Sequence, residues 1–301
     1  MGDATLTAKH VMPNAFNYEQ AFSRNIGWVS VAEQQVLRNK RVAIAGLGGV
    51  GGIHLVTLAR LGIGKFTIAD FDTFDVANLN RQAGAGISSL GRAKSDVLAE
   101  MARDINPEID LRIFPAGVSD ETIDAFLDGA DIYVDGLDFF AFSARRQTFA
   151  ACEKRGIPVV TAAPLGMSAA LLVFAPGSMP FEDYFGFSNC DELEMAVRFA
   201  VGLSPAMLHR SYVVDFSRID LAEKIGPSSA AACQLCAGVA AVEVLRILLS
   251  REGLKMAPWG SQFDAYRSRC TRTWRPRGHR NPLQQLMRVL VRRQLARSTR
   301  P

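Results

Sequence analysis

Between a short apolar run, Arg41 to Gly46 (RVAIAG), and a helix-like stretch, Ile53 to Leu61, the chain reads Gly46-Leu-Gly48-Gly49-Val-Gly51-Gly52. A strand that opens into glycines and closes into a helix is the entrance of a βα unit. Glycine permits a tight turn and leaves no side chain between backbone and phosphate. The helix that follows offers unpaired N–H groups and the positive end of its dipole. The expected ligand is a nucleotide, held at Gly46, Gly48, Gly49 and Gly51. Asp70 ends the next strand-like run, Lys65 to Asp70 (KFTIAD), 19 residues after Gly51, a place from which a carboxylate accepts hydrogen bonds from a ribose. On these residues alone a nicotinamide dehydrogenase fits as well as an ATP enzyme.

The alternation continues. A helix is predicted over Gly91 to Ile105, with Val97, Leu98, Met101 and Ile105 at helical spacing, then a strand over Leu111 to Phe114 and a short helix over Ile123 to Leu127. Ile132 to Val134 reads as a strand ending in Asp135 and Gly136, Ser143 to Arg155 as a helix, and Pro158 to Ala162 and Ser168 to Phe174 as strands. This predicts an α/β, Rossmann-like fold: a mostly parallel sheet with helices on both faces and its ligand at the carboxyl ends of the strands. From Met179 to Pro227 the periodicity fades. That stretch is expected to be a crossover excursion with one helix near Glu192 to Val201, long enough to be a binding segment. Ser228 to Leu249 is a long apolar helix with Ser228 or Ser229 as its N-cap. Gln234, Glu243 and Arg246 interrupt it, so a buried helix is expected rather than a transmembrane segment. Gln262 to Trp274 predicts one or two late strands.

Apolar residues make up 49% of the 301, enough for a packed core rather than a disordered chain. Met1 to Phe16 shows no charged head followed by an apolar run, and five cysteines form no framework. A reduced, cytoplasmic protein is expected. Charge is unevenly placed. From Arg267 to Pro301 there are 11 arginines, no lysine and no acid, leaving 23 basic against 30 acidic residues in the rest. An acidic body and a basic tail face different partners.

The segment after Asp70 separates the two nucleotide readings. It runs Asp70-Phe-Asp72-Thr-Phe-Asp75-Val-Ala-Asn78-Leu-Asn80-Arg81-Gln82. Hydride transfer has no need of so dense a polar cluster, whereas a triphosphate does. Arg81 can hold phosphate oxygens in a fork, and the Gln82 amide can donate to the same group. Lys94 starts the next helix as a second cation. Asp138, just past the strand Ile132 to Val134, is placed to hold magnesium bridging phosphates. Asp72 and Asp75 also suit plain loop capping. His54 reads as a core residue, and His10, His209 and His279 show no triad or metal spacing.

Taken together, the glycine turn, the segment ending Asn-Leu-x-Arg-Gln, Lys94 and Asp138 resemble the ThiF/MoeB/HesA superfamily, bacterial relatives of ubiquitin-activating enzymes. The resemblance spans about Phe22 to Tyr266. It implies an ATP-dependent adenylyltransferase that activates the C-terminal carboxylate of a ubiquitin-like or sulfur-carrier protein and releases pyrophosphate. By the same resemblance, Asp70, with Asp72 beside it, holds the ribose end of ATP. Asn78, Arg81 and Lys94 meet phosphates, with Gln82 among the cofactor-binding residues, and Asp138 binds magnesium. Arg24, in Phe22-Ser-Arg24-Asn25, reaches the ATP of a partner subunit, so a homodimer is implied. The chain then divides into an arm (1–21), an ATP-binding adenylation domain (22–266) containing the partner-binding excursion (179–227), and an arginine-rich tail (267–301).

Two family features are not matched. Relatives with a structural zinc carry two Cys-x-x-Cys pairs. Here only Cys233-Gln-Leu-Cys236 occurs, inside the apolar helix, so zinc is not expected. Relatives that form a thioester carry a cysteine where this chain has Lys224 to Gly226. Cys190, flanked by Asp191, is the one nearby candidate nucleophile. The tail places Leu283, Leu286, Met287, Leu290 and Val291 at helical spacing among Arg288, Arg292, Arg293 and Arg297. Such a helix suits RNA, a membrane surface, an acidic protein groove, or the acidic body itself. Other functions stay open: a close variant that activates a small molecule, a peptide or a tRNA-borne carboxylate, including a tRNA-modifying relative of the cyclic threonylcarbamoyladenosine dehydratase kind; an NAD-dependent oxidoreductase; and a non-catalytic nucleotide-binding scaffold.

Overall fold

A computed structural model describes residues 16–298 apart from Ala222 and Ile225. Helices α1 (Tyr18–Ala21) and α2 (Val31–Asn39) lead into β1 (Arg41–Ala45), α3 (Gly51–Arg60) and β2 (Lys65–Ala69). Next come α4 (Lys94–Ile105), β3 (Asp110–Phe114), α5 (Ile123–Phe126), β4 (Ile132–Asp135), α6 (Phe142–Arg155), β5 (Val159–Leu165) and β6 (Ser168–Phe174). The excursion holds α7 (Phe181–Phe185) and α8 (Glu192–Leu203); α9 (Ala230–Leu248), β7 (Trp259–Asp264), β8 (Arg269–Trp274) and α10 (Pro282–Ser298) complete the chain.

All eight strands form one sheet in the order β3-β2-β1-β4-β5-β6-β7-β8. The first five are parallel, and β6, β7 and β8 extend the sheet antiparallel. Every residue of β1 and β4 is buried, as expected of strands covered on both faces. One face packs Ile44, Leu55, Leu98 and Val134 with Ala237, Ala240 and Val244 of α9. The other packs Tyr133, Phe142, Phe149, Phe174 and Phe199. Truncating one such residue to Ala costs roughly 2–5 kcal/mol. The long apolar helix α9 is capped by Ser229 and lies against β5, β6 and α3, its predicted place inside the fold. It is the one helix among the described residues long and apolar enough to cross a membrane.

The structure amends several expectations. Helix α4 starts at Lys94 rather than Gly91, because Gly91 turns at φ +77° and Ala93, which bridges Thr73, has ψ 133°, neither a helical conformation. Among its described residues the excursion has two helices, not one, plus short 3-10 turns at Leu208–Tyr212 and Phe216–Arg218. Helix α7 is too short for a readable period; it forms because Phe181, Tyr184 and Phe185 bury into the aromatic cluster around Phe149 and Phe174. The division expected at Tyr266 falls in the turn between β7 and β8, so β8 is a strand of the main sheet. Helix α10 folds back onto α8, where Arg288 and Arg292 pair with Glu194.

Candidate nucleotide site

From β1 the chain moves to β2 and β3 on one side, then returns to β4 on the other. The carboxyl ends of β1 and β4 therefore frame a crevice at a topological switch point. The glycine turn fills its floor. Gly46 has φ +80°, and a Cβ there would lie 2.3 Å from the Gly136 carbonyl oxygen. A Cβ on Gly51 would lie 1.7 Å from the Gly46 oxygen. These two positions admit no side chain. Val50, the N-cap of α3, supplies no side-chain hydrogen bond; the Gly52 N–H of this ten-residue helix donates to the Gly48 carbonyl at 3.4 Å, and the Gly51 and Ile53 N–H groups have no backbone acceptor among the described residues and can meet an anion.

Gly48 and Gly49 are less tightly enclosed. A Cβ on Gly48 would meet Gln82 Nε2 at 3.6 Å; one on Gly49 would meet Arg81 Nε at 3.7 Å and Cys233 Sγ at 3.3 Å. Arg81 and Gln82 thus lie beside the turn. Arg81 donates to the Ala77 carbonyl and to Asn80 Oδ1, both at 2.9 Å. Asn80 in turn donates to the Ser228 carbonyl ahead of α9. Gln82 is buried, and its Oε1 has no hydrogen-bond partner among the described residues. Such an orphan is costly unless a ligand or water meets it.

Asp70 accepts from the Leu47 N–H at 2.5 Å and the Asp72 N–H at 2.8 Å, which locks the end of β2 to the glycine turn. Burial raises its carboxyl above the ordinary range; those two N–H groups and Lys94 oppose the shift. Lys94 is buried and pairs with Asp72 at 2.9 Å. Asp72 therefore holds a lysine in place. Asp75 caps a 3-10 turn, and Asn78 closes that capping box by accepting from the Asp75 N–H at 3.0 Å.

Asp138 is exposed at the mouth of β4, with one carboxylate oxygen accepting from the Phe140 N–H. Behind it, Arg145 donates to the Leu137, Asp138 and Phe139 carbonyls and to Asp135. Asp135 also accepts from Thr161 and from the Leu137 N–H. Sequence reading recorded Asp135 only as a strand end and passed over Arg145, Thr161 and the approach of Cys233 to Gly49. An aspartate closing a strand ten residues before a helical arginine was the available signal.

A nucleotide fits this crevice: the floor excludes side chains, a helix N-terminus is open, two cations stand near, and a buried amide oxygen is unpaired. No group of three His, Cys, Asp or Glu suited to a metal occurs among the described residues. A magnesium ion that keeps waters and phosphate oxygens needs only one or two carboxylates, which Asp138 can supply.

Two expected site residues lie elsewhere. Arg24 is exposed in a 3-10 turn, Ser23–Asn25, between α1 and α2. That region is tied to the amino ends of the strands: Tyr18 donates to the Gly62 carbonyl, and Arg38 pairs with Glu108. Among the described residues no interaction brings Arg24 to the glycine turn. Cys190 sits between α7 and α8 and donates to the Gly186 carbonyl. Burial pushes its thiol up, Arg198 opposes this, and Glu194 and Asp191 reinforce it. The structure gives it neither an activating environment nor a contact with the crevice. Cys233 and Cys236 are buried free thiols, and burial raises both. His54 is buried in α3 without a partner for Nε2.

The family model for the ThiF family matches residues 22–286. This chain belongs to the ThiF family. Its ThiF-type core is 34% identical over 141 residues to a tRNA threonylcarbamoyladenosine dehydratase of Bacillus subtilis (strain 168), covering 46% of this chain and 55% of that one. It is 31% identical over 141 residues to the molybdopterin-synthase adenylyltransferase of Salmonella typhimurium, covering 47% and 56%. The chain thus spans about half the length of the curated relatives it matches. Among solved structures, E. coli MccB with MccA-N7isoASN aligns at a TM-score of 0.65 and 20% identity, covering 89% of this chain and 75% of MccB. At that identity the likeness speaks to the fold. The family match reaches 20 residues past Tyr266 and takes in β8, in keeping with that strand's place in the sheet.

Proposed function

We propose that this ThiF-family chain is an ATP-dependent adenylyltransferase that activates the C-terminal carboxylate of a ubiquitin-like or sulfur-carrier protein. The observation that carries the reading is the convergence of Arg81 and Gln82 on the glycine turn that opens α3. In the reaction a carboxylate oxygen attacks the α-phosphorus, the bond to the bridging oxygen breaks, and pyrophosphate leaves. Carboxylates are ionised at neutral pH, so little proton transfer is needed. Charge and position carry the catalysis. Arg81 and Lys94 offset charge on the phosphate oxygens, the Asn78 and Gln82 amides donate to them, and Asp70 accepts from the ribose. Asp138 would hold magnesium, whose contribution is to neutralise phosphate charge. Arg24 serves the site of a second copy in a homodimer. The crossover excursion, 179–227, selects the partner; Gln262 and Tyr212 hold it near the β5–β6 turn, at the ligand end of β5.

The test is calorimetric titration with ATP plus magnesium and, separately, with NAD. Magnesium-dependent ATP binding, weaker in Arg81→Ala and Asp138→Ala, is the expected result. NAD binding without ATP would sink the reading.

A second reading is favoured by the name of the Bacillus subtilis relative: adenylation of a carboxylate borne on a modified tRNA adenosine with loss of pyrophosphate, then ring closure at that carboxyl with AMP leaving, a net dehydration. Incubation with ATP and threonylcarbamoyladenosine-bearing tRNA separates the two. ATP consumption dependent on that tRNA supports the second reading, and dependence on a carrier protein supports the first.

A further inference from the structure

Helix α10 is mounted with its polar side inward. Gln284 is buried. Arg288 and Arg292 pair with Glu194 of α8, which also holds Arg198. Four apolar side chains point away, with Leu283 55% exposed, Leu286 54%, Val289 46% and Leu290 38%, while Met287 and Val291 are half-buried at the edge of the inward side. At helical spacing these four and the exposed Arg293 share an arc of about 120°. Arg280 stands exposed just before the helix, and no acid occurs from Arg267 onward.

We propose that this outward face of α10 docks on an anionic lipid bilayer. A helix lying in the interface buries leucines at the acyl boundary while arginines stay with the headgroups. Arg293 shares the arc with Leu286 and Leu290, an arrangement that a bilayer accepts by snorkelling. A protein groove would have to bury that charge among apolar anchors. RNA offers phosphates to the arginines but nothing to the four apolar side chains. The Glu194 pairs hold the helix formed in advance, which lowers the ordering cost of binding. The acidic body and basic tail give the molecule a polarity that turns this face toward a negative surface.

The full chain is sedimented with phosphatidylcholine vesicles and with vesicles containing about one-third phosphatidylglycerol. Binding to the anionic vesicles only, weakened by salt, is expected. Leu286→Glu/Leu290→Glu should lower partitioning at least ~10-fold, and Arg293→Glu several-fold, because the apolar and electrostatic parts add. These side chains face solvent, so circular dichroism should show both variants folded. The proposal is overturned if wild type does not sediment with the anionic vesicles, if the double variant binds them like wild type, or if the double variant changes oligomeric state without lipid, which would assign the stripe to a second copy. Capture of RNA that survives Leu286→Glu/Leu290→Glu, with no vesicle binding, overturns it likewise.

Discussion

Arg145 Nε donates to Asp135 Oδ2 at 2.9 Å, and both side chains are only 2% exposed. The remaining guanidinium donors reach the Leu137, Asp138 and Phe139 carbonyls. One buried arginine therefore shapes the loop that presents Asp138. Removing it strands a buried carboxylate, which costs roughly 3–5 kcal/mol. Arg145→Met should show this loss in urea unfolding and should weaken magnesium-dependent ATP binding. An unchanged midpoint would mean that the pair is structurally idle.

The glycines of the turn should divide into two classes. Gly51→Ala places a methyl group 1.7 Å from the Gly46 oxygen, so the turn cannot form and stability should fall. Gly48→Ala meets only Gln82 Nε2, at 3.6 Å. It should melt close to wild type yet bind ATP more weakly, because the methyl group stands where a phosphate approaches. Thermal melts and calorimetry together distinguish the two cases.

Arg81→Ala should lower adenylate formation by roughly 10²–10³-fold, the usual range for loss of one preorganised donor. Its own hydrogen bonds go to Ala77 and Asn80 in an exposed turn, so the fold should survive. Pyrophosphate release in the presence of a carboxylate partner is the readout. Wild-type rates would remove Arg81 from the mechanism.

Acid should destabilise the protein well before its carboxylates titrate. Burial lowers His54 and His209 from 6.5 to about 4. Between those values the unfolded chain binds more protons than the folded one, so stability falls as pH drops through that window. Each histidine should cost about 2 kcal/mol between pH 7 and pH 5. Urea midpoints at the two pH values test this, and His54→Leu should remove about half of the drop.

Cys190→Ser should leave adenylate formation unchanged and abolish no covalent adduct, since burial and neighbouring acids hold the thiol up. Loss of a thioester to the partner protein in this variant would restore Cys190 as a nucleophile.

The local parts of the site were readable because they are sequence-continuous. The strand into Gly46, the free start of α3, Asp70 at the end of β2 and Lys94 opening α4 are each one element long. Helix α7 was not, since five residues hold no period and only the aromatic cluster makes them a helix. Cys190 was a candidate on proximity in sequence, and its surroundings count against it.

By itself the sequence determined the βα alternation, the glycine turn and the polar segment from Asp70 to Gln82, because backbone chemistry and periodicity act over a few residues. Only the tertiary structure decided that Arg145 lies behind Asp138 and Cys233 beneath Gly49, and that α10 turns its leucines outward. Those are contacts between distant segments, and they exist only once the sheet and its covering helices have packed.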